Sequence, residues 1–110
     1  MWLQSAAASE TLNAIFAGGY TETTSINNNM AGKYAVIARM DLAQNTWAWR
    51  KQFGCSGCKL ETITALAVNS AGSMVAAHAT EYNAFAYDEI SYIFILRSED
   101  GHFITNAHKI

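Results

Sequence analysis

Proline is absent from all 110 residues, where average usage predicts about five. That excludes proline-rich linkers, and the absence has no further physical account. Cysteine is scarce as well: Cys55 and Cys58 are the only two, too few for a disulfide scaffold, and one disulfide, half a zinc site or two free thiols all fit. Charge is thin, with 15% charged residues and a net charge of -2, so no basic field exists to attract phosphates or anionic membranes, and nucleic acid is not an expected partner. No apolar run approaches the roughly 18 residues of a membrane-spanning helix, and "MWLQSAAASETL" has no positive flank ahead of an apolar stretch. Neither a membrane anchor nor a signal peptide is expected, and the compartment stays open.

What the chain has is an internal repeat, the first feature to check because missing it misassigns the fold. "KYAVIARMD" (33–41) and "SYIFILRSED" (91–100) share a tyrosine, alternating aliphatics, an arginine and an acid; Tyr34 to Tyr92 and Arg39 to Arg97 are each 58 apart. "NAIFAGGYTET" (13–23) lies over "GSMVAAHATEY" (72–82), with Ile15 to Met74 and Thr21 to Thr80 each 59 apart. The alternation of Tyr34, Val36 and Ala38, and of Tyr92, Phe94 and Leu96, has the period of two of a half-buried strand. Eight strands are expected, near 2–8, 14–20, 33–40, 46–52, 62–68, 74–80, 91–98 and 102–109. "NSAG" and "SEDG" supply hairpin glycines in the second copy, and "SETLN" and "DLAQN" are their counterparts in the first. Two longer connectors, 23–32 and 81–90, occupy the same place in both copies. The alanine-rich start could be helical by propensity alone, but its match to "ALAVNSAG" makes it a strand.

"WAWRKQFG", followed by "ITALAVNSAGSMVAAHAT" and "YIFILRSEDGHF", resembles the bacterial-type β-propeller repeat. That repeat runs as a Trp-x-Lys-Gln-Phe-Gly segment, an apolar-Val-Asp-x-x-Gly hairpin, a Phe-apolar-Lys-Tyr-Asp strand and a glycine turn. The resemblance covers nearly the whole chain as two copies; the first lacks the hairpin glycine, and Asn69 and Glu99 stand where the pattern has aspartate. It implies an all-β chain of two four-stranded antiparallel blades, a partial propeller: blade one about 1–53, blade two about 60–110, joined by a 54–59 loop, with 63–68 innermost and 102–109 outermost. Because a closed propeller has about four to eight blades, two blades imply either further blades or a ring of copies. The alternative fold is a single eight-stranded sandwich.

In this register Cys55 and Cys58 fall in the loop between blades. A redox CxxC is expected to open a helix, whereas a strand follows here. A structural zinc needs about four ligands, and only His78, His102 and His108 could join the pair. A local disulfide or two ordinary thiols remain. Candidate ligand-binding residues are Tyr82, Phe85 and Tyr87 in the second long connector, and Trp47 and Trp49, which at a spacing of two share one face of a regular strand. Packing between blades is the bland reading of the tryptophans, and a sugar-stacking platform the sharper one. Glu81, Asp88 and Glu89 cluster in sequence, but loop acids are ordinarily just solvated, and no nucleophile with a supporting partner is recognisable near His78. No catalytic residue, metal or cofactor is assigned. The expectation is a non-enzymatic interaction or scaffold module whose partners are proteins, further blades or copies of itself. The competing readings are a lectin-like sugar binder and part of a propeller enzyme.

Overall fold

A computed structural model describes residues 2–24, 31–53, 62–83 and 88–109. Among them there are eight strands and no helix: β1 (Trp2–Ser9), β2 (Ala14–Thr24), β3 (Ala31–Asp41), β4 (Thr46–Phe53), β5 (Thr62–Val68), β6 (Met74–Asn83), β7 (Asp88–Arg97) and β8 (Phe103–Lys109). The strands make two antiparallel meanders, β1-β2-β3-β4 and β5-β6-β7-β8, called here sheet one and sheet two. The all-β class and the two four-stranded sheets are as expected. The alanine-rich β1 is a strand because pairing with β2 outweighs its helical propensity, a weak prior that tertiary contacts override. Both ends of each long connector are also strand: β2 and β3 pair out to Thr24 and Ala31, and β6 and β7 out to Asn83 and Asp88.

The tight turns need left-handed backbone. Gly72 and Gly101 provide it in sheet two with φ of 75° and 74°, and Asn13 and Asn45 in sheet one with φ of 51° and 53°. Asparagine is one of the few side-chain-bearing residues that visit this region routinely, so the first copy turns without hairpin glycines.

The backbone aligns the two copies differently from the side chains. Bulges fall between Leu3 and Ser5 in β1 and between Ile63 and Ala65 in β5, and the turn bond from the Leu42 N–H to the Asn13 carbonyl is matched by one from Ser98 to Ser73. A further bulge falls between Arg39 and Met40, and its match between Ile95 and Leu96. By these marks β1 and β2 map onto β5 and β6 with a shift of 60, and β3 and β4 onto β7 and β8 with a shift of 56. The cause is the middle hairpin: Gly19 pairs with Val36 across seventeen residues, and the equivalent Ala79 pairs with Tyr92 across thirteen. The sequence match at 59 is thus one residue out in β2, which turns every side chain to the other face.

The sheets stack face to face within overall dimensions of 44 × 27 × 21 Å, the least of which suits two layers about 10 Å apart. Sheet one meets the seam with the face that carries Phe16, Ile37, Arg39, Trp49 and Phe53; sheet two meets it with Ile63, Val75, Phe94 and Leu96. Phe16, Ile37, Ile63, Val75, Phe94 and Leu96 are fully buried, each worth roughly 1.5–3 kcal/mol on burial. Phe53 packs on Phe94 with ring centroids 5.5 Å apart, and Phe103 closes edge-on against both.

Polar contacts across the seam join residues about one repeat apart. Thr62 donates to the Gln4 amide oxygen at 2.7 Å, Thr11 to the Ser70 carbonyl at 3.0 Å, and both Arg39 Nη1 and Trp49 Nε1 to the Ser98 carbonyl, at 2.9 and 3.0 Å. Their separations of 58, 59, 59 and 49 residues mean that each strand or turn lies on its own counterpart or beside it. Applying the two shifts, the seam face of sheet one corresponds to Ala76, Ile93, Ile95 and Thr105, which lie on the far side of sheet two. The stacking is therefore head to tail: the two sheets use opposite faces.

Candidate interaction surfaces

Head-to-tail stacking leaves each sheet one outer face. That of sheet two carries Ala65, Ala67, Met74, Ala76, Ile93 and Ile95, with Met74 39% and Ile93 43% exposed. Its lower end is a shallow depression of about 260 Å³ lined by Ala67, Val68, Asn69, Met74, Ala76 and Ile95. The rim is polar and ordered. Asn69 Oδ1 accepts the N–H groups of Ser73 and Met74 at 2.8 and 3.0 Å, and His78 Nδ1 is bonded to Thr64 Oγ1. Arg97 and Asp100 form an ion pair. The guanidinium and the backbone N–H of His102 hold the Asp100 carboxyl below its usual range.

The outer face of sheet one carries Leu3, Ile15, Met40 and Trp47, of which Leu3 is half exposed, with Leu42 exposed in the adjoining turn. Trp2 stacks on Tyr20, ring centroids 5.4 Å apart and nearly parallel, on the seam side. Sequence reading did not single out Leu42, because an isolated leucine in a turn has no periodic partners; only its three-dimensional counterpart, Ser98, gives it meaning.

The two tryptophans do not share a face, which corrects the expectation from their spacing. Trp49 pairs with Arg39 and Trp47 with the adjacent Met40, so a bulge at Ala48 sends them to opposite sides of β4. Trp49 lies on the seam over Gly101, and Trp47 is outside, 44% exposed. A two-tryptophan sugar platform is thereby not formed. Tyr82 belongs to β6, paired with Glu89 of β7, and not to a loop, while Asp88 pairs with Asn83. Phe85, Tyr87, Cys55 and Cys58 lie outside the described residues. Burial pushes the Tyr92 hydroxyl up, and the Glu81 carboxylate adds to the shift. Among the described residues no three His, Cys, Asp or Glu side chains gather as a metal site. The strongest chemical feature is thus the pair of apolar outer faces.

Neither a known protein family nor any curated protein matches the chain.

Proposed function

We propose that the chain supplies two β-propeller blades to a closed ring and serves as a non-catalytic scaffold that presents its hairpin ends to partner proteins. The observation that carries this reading is the head-to-tail seam. A sandwich of two sheets buries the inner face of each and closes on itself, whereas blades stack by one repeated operation, each using opposite faces towards its two neighbours. The exposed apolar residues on both outer faces, Leu3 and Trp47 on one and Met74 and Ile93 on the other, are then blade faces awaiting neighbours.

Tandem fusion of two, three and four copies of the chain tests the reading. One of these lengths is expected to give a compact, monodisperse monomer with a ring-shaped small-angle scattering profile and a melting temperature well above that of the single chain. Beads-on-a-string scattering at every length, with melting unchanged, would sink it in favour of a self-contained sandwich. A glycan array without hits on the closed fusion separates a protein scaffold from a sugar binder.

A further inference from the structure

As a pair of blades in a closed ring, the chain needs neighbouring blades on both outer faces. Resting on that proposed function, we infer that they come from a second copy of this chain, docked so that the turn carrying Leu42 enters the depression on sheet two of its neighbour. The template is the seam itself. In that seam the β7–β8 turn of sheet two lays Ser98 on sheet one, where its carbonyl accepts from Arg39 and Trp49, and Ser98 is 4% exposed.

Shifting every partner by one repeat replaces Ser98 by Leu42, Arg39 by Ile95 and Trp49 by Thr105. Both sides change together. A polar turn on two N–H donors becomes an apolar turn on an isoleucine and a small residue. The neighbouring Phe16 becomes Ala76, and this opens the depression in which Leu42, 43% exposed in the single chain, gains a socket.

The same shift pairs other residues that solvent now touches. Ile37 and Ile63, both fully buried in the seam core, correspond to Ile93 and Leu3, which are 43% and 50% exposed. Gly101, whose added Cβ would lie 3.0 Å from the Trp49 ring, corresponds to Asn45, and the residue that would cover it is Thr105. A turn with a side chain thus faces the smaller partner. One level differs: Gly18, on which Ile63 rests, corresponds to His78. The imidazole is bound to Thr64, and the two faces meet further apart there, over the γ-branched Leu3. The interface is heterologous, so closure takes a ring of roughly two to four copies, matching four to eight blades.

The test uses Leu42→Asp, which spoils only the inserting turn, and Met74→Asp, which spoils only the socket. Both positions are exposed, and circular dichroism with thermal melting verifies that each variant folds. Native mass spectrometry and light scattering are expected to find the wild-type chain as a discrete oligomer and each variant as a monomer. Mixing the two variants is expected to double the mass to a one-to-one dimer, because one intact turn then meets one intact socket. A wild-type monomer alongside a tandem fusion that closes would overturn the second-copy inference and leave the blade reading standing. A wild-type oligomer that either variant fails to dissociate, or variants that stay monomeric when mixed, would overturn it too. A monomer whose fusions stay as separate beads would remove both.

Discussion

Each sheet has left-handed residues in its two tight turns, glycine in sheet two and asparagine in sheet one. Gly101 and Asn45 are equivalent positions, whereas Gly72 corresponds to Leu12 and so lies one residue out of step with Asn13. Positive φ alone does not account for the difference, since asparagine meets it in sheet one. What separates them is cover. Gly72 and Gly101 are buried beneath Leu12 and Trp49 of the other sheet, with added Cβ atoms 2.8 and 3.0 Å from those side chains, whereas Asn13 and Asn45 are exposed. The backbone asks for a left-handed residue, and the neighbouring sheet decides that it must be the smallest.

The same contrast holds inside the sheets, and breaking it at the seam has the largest expected effect. Phe94 of sheet two corresponds to Ala38 of sheet one, and both are fully buried. Only Phe94 packs against rings of its own and the other sheet. Phe94→Ala, which makes sheet two resemble sheet one here, is expected to cost about 3–5 kcal/mol. It is read as a fall in the urea midpoint with unchanged slope at fixed protein concentration. A loss below about 1 kcal/mol would mean that the seam is not a packed core.

Gly18 and His78 form the next comparison. An added Cβ at Gly18 would lie 2.6 Å from Cγ2 of Ile63, while the equivalent place on the outer face accommodates a whole imidazole. Gly18→Ala is therefore expected to destabilise by roughly 1–3 kcal/mol through overpacking. In an Ile63→Ala background the same substitution should cost less by about 1 kcal/mol, since the two sites are in contact. Strict additivity would show that Gly18 is required for some reason other than the approach of sheet two.

How much of this was legible in the sequence follows from what each signal measures. Alternation of aromatic and aliphatic residues gave all eight strands, because a period of two is a local property, but left them two to four residues short at the ends that run into the long connectors. Asn13 and Asn45 were readable as turns for the same reason. Face assignment was not. The match of Ile15 to Met74 at 59 is a likeness of side chains, while the matched bulges at Gln4 and Thr64 mark a backbone shift of 60, which the shorter hairpin beyond Ala79 reduces to 56. Trp47 and Trp49 failed likewise, since one bulged residue between them reverses the rule that alternate residues share a face. The two outer faces were foreseeable only as a consequence of the propeller resemblance; which residues form them depends on register, and the Leu42 socket on pairs of positions in different copies.

The smallest expected effect sharpens the opening contrast by exchanging its two terms. Asn45→Gly keeps the left-handed turn and removes a side chain that is exposed in the single chain, so stability should stay within about 0.5 kcal/mol. Gly101→Asn also keeps a permitted φ, yet its Cβ arrives 3.0 Å from Cε3 and Cζ3 of Trp49. The indole is held by its bond to the Ser98 carbonyl, so it yields only by stretching that bond. A loss of about 1 kcal/mol is expected, accompanied by a change in tryptophan fluorescence that Asn45→Gly does not produce. Equal effects from the two exchanges would make the turns a purely local matter. Unequal ones mean that the residue in a left-handed turn reports which side of the sheet is covered, and Asn45 then marks a turn with room for a side chain, as the proposed docking against Thr105 of a second copy requires.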